Sequence, residues 1–292
     1  MTLRDYQTNA RYQINTLLNA SRHPLYVAPT GTGKTKTAVA VIQDRIRLQR
    51  RVFILTPQEE IFTQWQKELS QQGINSGYID SKGIQGRDRM VYVCMPMSLL
   101  NIIHLLPRSI YPDEIITDEC HHSGAKTYES IYEQFDKANR LGLTATPYRG
   151  DNKPLGKYYT DIVNTTTMFQ GISAGYLAKP LIIVPEQYHL NVPLNNGDYD
   201  VQSQAEQLGT TKIIGDVVKH YGEIFAGLPV LVACSTFKHA EKITEEFKKA
   251  GWIFEHIHSK LADGDRRRMI REIRSGKLNG LCTVGIGIEG MD

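Results

Sequence analysis

Cysteine is scarce in this chain. Four occur in 292 residues, Cys94, Cys120, Cys234 and Cys282, and none forms a C-x-x-C pair. That spacing excludes a disulfide framework and leaves four reduced, buried structural thiols as the reading. Long apolar runs are missing too; none approaches the roughly 20 residues of a membrane span. The start, Met1-Thr2-Leu3-Arg4-Asp5-Tyr6-Gln7, lacks the apolar core of a signal peptide. A cytoplasmic protein with no membrane contact is expected. His121 and His122 stand beside Cys120, but no second Cys/His cluster at ligand spacing accompanies them, so a zinc site is rejected. No motif that reads DNA sequence is found. Any specificity would come from nucleic-acid shape or from protein partners.

What is present describes a globular chain. Hydrophobic residues make up 41% and charged residues 22%, and the length accommodates two domains. The formal charge of +3 is uneven: residues 1–185 carry +5 and residues 186–292 carry −2. A basic first half permits a polyanionic partner. An ordinary solvated surface explains the charge equally well.

Two stretches carry chemistry. In the first, Pro24-Leu25-Tyr26-Val27-Ala28 reads as a buried strand and Thr35-Lys36-Thr37-Ala38-Val39-Ala40-Val41-Ile42 as a helix. Between them lies Pro29-Thr30-Gly31-Thr32-Gly33-Lys34. A glycine-rich strand-to-helix turn lets backbone N–H groups close around phosphate oxygens, and the helix start adds partial positive charge. Lys34 would neutralise β/γ-phosphate charge and the Thr35 hydroxyl would coordinate Mg²⁺. In the second stretch, Glu114-Ile115-Ile116-Thr117 runs as an apolar strand into Asp118-Glu119-Cys120-His121. Strand alternation would send the adjacent carboxylates in different directions. Asp118 suits a Mg²⁺-holding acid, and Glu119 a base that orients and deprotonates the attacking water.

The form A-x-T-G-x-G-K-T, with Ala28 where the general phosphate-loop pattern has glycine, resembles motif I of superfamily 2 helicases. Asp-Glu-Cys-His matches motif II. Asn139-Arg140-Leu141-Gly142-Leu143-Thr144-Ala145-Thr146-Pro147 matches motif III. With Arg149 it has the look of the DEAD/DEAH-like branch that holds type III restriction ATPases, RadD-like and XPB-like proteins. Gly175-Tyr176-Leu177-Ala178-Lys179-Pro180 also suits that branch.

The resemblance implies ATP and Mg²⁺ as cofactors. It implies phosphate contacts by Thr30, Gly31, Thr32, Gly33, Lys34 and Thr35, catalysis by Lys34, Asp118 and Glu119, and coupling through His121, Thr144 and Thr146. Leu3-Arg4-Asp5-Tyr6-Gln7 is similar to the adenine-recognising element ahead of motif I, which makes Arg4 and Gln7 base contacts. Thr56, Pro57 and Gln64 (motif Ia), Ser98 (a second backbone-contacting element), and Ser235 with Thr236 (motif IV) would touch nucleic acid. Gly290 and Asp292 close motif V at the nucleotide. A helix face bearing Arg266, Arg267, Arg268, Arg271 and Arg274 reads equally as a phosphate-facing stripe or as solvated surface. Trp65, Met95 and Met97 read as core.

The expected fold is α/β, two tandem RecA-like domains with parallel sheets. Domain 1 spans 1–186, a linker 187–211, and an incomplete domain 2 spans 212–292. Motif VI, whose arginines complete the ATP site, does not follow motif V. The 292-residue chain is therefore expected to hydrolyse ATP weakly. The expected activity is that of an ATP-dependent helicase or translocase on nucleic acid, DNA ahead of RNA. A double-stranded-DNA translocase that never separates strands and an ATP-gated nucleic-acid-binding module with little turnover are the alternatives.

Overall fold

The computed structural model describes residues 2–86, 88–147, 155–183, 191–195, 198–258 and 261–284. The chain divides into two compact units, Met1–Leu181 and Ile182–Asp292.

In the first unit helices and strands alternate. Chain order is α1 (Asp5–Asn19), β1 (Pro24–Val27), α2 (Lys34–Arg47), β2 (Val52–Leu55), α3 (Glu59–Gln71), β3 (Gly77–Asp80), β4 (Gly83–Gln85) and β5 (Val91–Cys94). Then come α4 (Pro96–Ile102), β6 (Glu114–Thr117), α5 (Lys126–Gln134), β7 (Asn139–Thr144), β8 (Asp161–Val163) and α6 (Met168–Ser173). The strands form one sheet in the order β4-β3-β5-β2-β6-β7-β1-β8. Every pairing is parallel except the β3–β4 hairpin. Parallel strands need crossover helices, and these bury both sheet faces, so the strand sequences are continuously apolar. On one face Ile14 and Leu18 of α1, Val39 and Ile42 of α2, and Trp65 and Leu69 of α3 pack over Tyr26, Ile54 and Val93. On the other, Leu99 of α4 with Tyr128 and Ile131 of α5 cover Leu25, Phe53 and Ile115.

The strand register lines up one edge of this sheet. Val27 pairs with Thr144, Thr117 with Gly142, and Leu55 with both Thr117 and Cys94. The loops after β1, β2, β5, β6 and β7 therefore leave from the same carboxyl edge, where open α/β sheets bind ligands. Gly142 is required by this packing: a Cβ there would lie 2.7 Å from the Tyr159 ring and 2.8 Å from Cys120 Sγ.

The N-cap of α1 is Arg4, whose backbone N–H donates to Gln7 Oε1 at 3.0 Å. A glutamine three residues into the helix fills the role that an acid would fill.

The second unit holds a two-stranded hairpin, β9 (Leu194–Asn195) with β10 (Asp198–Tyr199), then α7 (Val201–Leu208) and α8 (Thr211–His220). A π-helical turn, Tyr221–Phe225, extends α8. After it come β11 (Val230–Ala233), α9 (Phe237–Lys249), β12 (Phe254–Ile257), α10 (Asp263–Arg274) and β13 (Gly280–Thr283). These last strands make a parallel sheet in the order β11-β13-β12. The segment 187–211, read as a linker from its Asn, Asp and Gly content, contains the hairpin and α7. Asp200 caps α7 by accepting from Ser203 N–H at 2.8 Å, and Ala205 is buried. All four cysteines are free and buried, as their spacing suggested.

Candidate active site

The loop between β1 and α2 takes its shape from two glycines in the left-handed region, Gly31 at φ +78° and Gly33 at φ +80°, where a side chain would be strained. Its outer side is braced. Gln7, 4% exposed, donates from Nε2 to the carbonyls of Thr32 at 3.0 Å and Gly33 at 3.3 Å. The Tyr6 hydroxyl donates to the same Thr32 carbonyl at 2.7 Å. A Cβ on Gly33 would fall 2.6 Å from Gln7 Nε2, and one on Gly31 would fall 3.0 Å from Leu177 Cδ2. The Thr32 N–H donates to the Pro29 carbonyl at 3.2 Å, which closes the turn ahead of α2. The first N–H groups of α2 have no intrahelical acceptors. Lys34 and Thr35 open that helix and are half-buried.

Gln7 therefore acts first on the loop. Both ends of its amide are engaged within the protein, and a base contact by Gln7 would require exchanging those bonds. Arg4 is placed differently: its guanidinium lies 4.1 Å from the centroid of the Tyr176 ring and donates to the Tyr6 hydroxyl at 3.1 Å.

The acidic pair sits beyond the end of β6. Asp118 is 6% exposed. Its Oδ2 accepts from Trp65 Nε1 at 2.8 Å and its Oδ1 from the Glu119 backbone N–H at 3.0 Å. Burial pushes the Asp118 carboxyl upward. The Trp65 and Glu119 hydrogen bonds oppose that, as do the charges of Lys34 and His121. The adjacent carboxylates diverge for a reason other than strand alternation. β6 ends at Thr117, and Glu119 sits in the left-handed region at φ 46°, ψ 52°. A non-glycine residue held there is a strained backbone of the kind that clusters at functional sites.

β7 lies between β1 and β6, so the glycine loop and the acidic pair spring from strands roughly 10 Å apart. The end of β7 spans the gap. The Thr144 carbonyl accepts from Ala28 N–H at 3.2 Å, and its hydroxyl lies 3.5 Å from His121 Nδ1. The same hydroxyl donates to the Thr146 carbonyl at 2.9 Å and accepts from Thr146 N–H at 3.0 Å. His121 Nδ1 is 3.4 Å from Glu119 Oε2. The three coupling candidates, His121, Thr144 and Thr146, form one chain of contacts from acid to loop. The turn is anchored behind by Ser123, Tyr132, Tyr159 and Thr117, whose hydroxyls interlink at 2.8–3.3 Å.

This donor set fits a nucleoside triphosphate with a divalent cation. A left-handed glycine loop, a half-buried helix start that carries a lysine, and a carboxylate held at both oxygens lie at one sheet edge. Among the described residues no cluster of three or more His, Cys, Asp or Glu could hold a metal by itself.

The nucleic-acid candidates divide. Gln64 is exposed on α3; Pro57, on the loop after β2, and Ser98, in the first turn of α4, are half-buried. Thr56 is a correction: it is 0% exposed, and its hydroxyl points inward, 3.8 Å from Met95 Sδ. In the second unit Thr236 is the N-cap of α9 and Ser235 Oγ donates to Gln204 at 2.8 Å. Both hydroxyls are engaged in local structure. Arg268 leaves the proposed stripe, since it pairs with Glu255 at 2.9 Å and Glu272 at 2.6 Å. Arg149, Gly290 and Asp292 lie outside the described residues. Sequence reasoning missed the bonds of Trp65 and Tyr6 and the packing of Tyr176 and Leu177 beside the loop. For Trp65 a signal existed, because a buried indole N–H needs an acceptor.

Strand order, glycine loop and acidic turn together define a superfamily 2 helicase-like protein with RecA-like α/β architecture. Residues 1–149 match the family described as "Type III restriction enzyme, res subunit", and the chain belongs to that family. A 51.5 kDa protein of Lactococcus phage (isolate 7-9) is 27% identical over 91% of this chain and 55% of its own length. The DNA 3'-5' translocase XPB2 of Sulfurisphaera tokodaii is 30% identical over 52% of this chain and 32% of its own. Among solved structures, the ATP-dependent Type ISP restriction-modification enzyme LlaBIII bound to DNA superposes with a TM-score of 0.65 at 16% identity, covering all of this chain and 25% of that one. The chain spans about half the length of the phage relative and about a third of the translocase. No helix among the described residues is long and apolar enough to cross a membrane.

Proposed function

We propose that this chain is the ATP-hydrolysing part of a helicase or translocase that acts on nucleic acid, with DNA the favoured substrate. The observation that carries the reading is that the glycine loop, where Lys34 opens α2, and the Asp118–Glu119 turn leave the same sheet edge and are joined across β7 by Ala28, Thr144 and His121. Backbone N–H groups from Thr30 to Thr35 would wrap the phosphates, and Lys34 would neutralise the charge that builds there. Thr35 and Asp118 would hold Mg²⁺, which when bound draws charge from the leaving phosphate. Glu119, on its strained turn, would orient a water and take its proton. His121, Thr144 and Thr146 would report the state of that turn to the loop end through their chain of contacts.

DNA is favoured because a relative is named as a DNA translocase. A second reading, translocation along duplex DNA without strand separation, is supported by the relative named a translocase. Pro57, Gln64 and Ser98 are the first-unit groups suited to backbone contact, and such contacts set position without reading sequence. The test is ATPase activity measured with single-stranded DNA, duplex DNA and RNA in parallel, on wild type, Lys34→Ala and Glu119→Gln. Stimulation by DNA that both substitutions abolish supports the proposal. Activity that survives either substitution refutes it. A triplex-displacement assay beside a strand-displacement assay separates the two readings.

A further inference from the structure

Trp65 reads from the sequence as a core residue, and its burial agrees: it is 0% exposed and packs in the cluster under α1, α2 and α3. Packing alone does not account for its orientation. Nε1 points out of that cluster and donates to Asp118 Oδ2 at 2.8 Å, a bond between α3 and the turn after β6 that joins residues 53 apart in the chain. The opposite oxygen, Oδ1, is held by the Glu119 N–H at 3.0 Å. Asp118 is thus gripped at both oxygens. Each oxygen keeps a further lone pair, and the carboxylate plane is fixed relative to the end of β6. A phenylalanine would satisfy the packing and supply no donor.

We infer that Trp65 is a positioning residue: its indole N–H sets the Asp118 carboxylate in the orientation that receives the divalent cation, and the bond also ties α3, which carries Gln64, to that carboxylate. The inference rests on the reading of Asp118 as a cation-holding acid. Outer partners of metal-binding carboxylates act in this way, and removing one typically costs about 10- to 100-fold in metal affinity or activity.

The test is binding of a non-hydrolysable ATP analogue to the 292-residue chain, with Mg²⁺ and with EDTA in its place. Trp65→Phe is expected to weaken binding about tenfold or more in Mg²⁺ and to leave it unchanged in EDTA. In an Asp118→Ala background, Trp65→Phe is expected to cost nothing further. A Mg²⁺ affinity equal to wild type, an equal loss with and without Mg²⁺, or full additivity with Asp118→Ala overturns the inference. Lys34→Ala separates this outcome from the broader reading. If Lys34→Ala binds like wild type, the site itself is misassigned; if it loses binding while Trp65→Phe is silent, only the role of Trp65 fails. Should Trp65→Phe not fold, Trp252→Phe leaves Trp65 as the only indole of the chain's two. Adding Mg²⁺ to the analogue-bound Trp252→Phe protein must then shift its emission, and an unchanged spectrum rejects the inference.

Discussion

The two units solve the same structural problem with unequal means. In the first, strands β1, β2, β5 and β6 are buried at every position and sandwiched between two clusters of apolar side chains. In the second, only β13 is buried throughout. β11, an edge strand, alternates between half-buried and exposed positions, with Leu231 49% exposed. The smaller core of the second unit leans on an aromatic knot. Tyr221 meets Phe247, Trp252 and Phe254 edge-on, its ring 5.0–5.5 Å from theirs, and its hydroxyl donates to the Leu228 carbonyl at 3.0 Å. The proposed chemistry sits where the scaffold is thick. A strained turn such as that of Glu119 persists only when its surroundings over-determine it, and the hydroxyl cluster behind it does so.

The largest expected effect tests the functional side of this contrast. Glu119→Gln should lower turnover about 10²- to 10⁴-fold, the usual share of a positioned base, with nucleotide binding retained in a calorimetric titration. Next comes stability. Phe53→Ala, in the first unit, should cost about 3–5 kcal/mol, and Phe247→Ala should cost a similar amount in the second. Leu231→Ala should stay within about 0.5 kcal/mol, as half-exposed sites do. Trp65 and Trp252 lie in different units, so single-tryptophan variants in urea can follow each unit alone. The expected pattern is two transitions, with Phe247→Ala moving only the one seen by Trp252. Coincident transitions that shift together would erase the distinction between a thick and a thin scaffold.

A gentler effect comes from the buried pair of Arg45 and Glu114, which face each other at 3.1 Å. Burial pushes the Glu114 carboxyl from its ordinary 4.5 up to about 7, against the pull of Arg45. A carboxyl raised on folding binds its proton more tightly in the native state, so its contribution to stability is full below about pH 4.5 and is lost as pH rises through 7. Glu114→Gln should flatten that part of the stability profile; an unchanged difference between wild type and variant from pH 4.5 to 7.5 would refute it. The smallest effect belongs to Arg268→Ala. The half-buried pairs of Arg268 with Glu255 and Glu272 remain open to solvent screening, so its loss should cost at most about 1 kcal/mol.

Much of the first unit was legible because its signals are local. Gly31 and Gly33 are demanded by backbone conformation, and the apolar runs at β1, β2, β5 and β6 mark strands covered on both sides. Other features depended on residues far apart in sequence. Neither Tyr6 nor Gln7 shows, in its own neighbourhood, that it will bond the carbonyl of Thr32. Thr56 was expected to touch nucleic acid from its likeness to motif Ia, yet its hydroxyl points inward, toward Met95. In 187–211 the Asn, Asp and Gly content hid a helix whose buried side is little more than Ala205. The same content that ends a helix also caps one, as Asp200 does.

The central claim is that Lys34 and the Asp118–Glu119 turn serve one Mg²⁺–triphosphate. Calorimetric titration of wild type, Lys34→Ala and Asp118→Ala with a non-hydrolysable ATP analogue, each with and without Mg²⁺, addresses it most directly. The account predicts saturable binding by wild type, loss of binding by Lys34→Ala in both conditions, and loss of only the Mg²⁺-dependent part by Asp118→Ala. Binding by either variant indistinguishable from wild type in Mg²⁺ would contradict it.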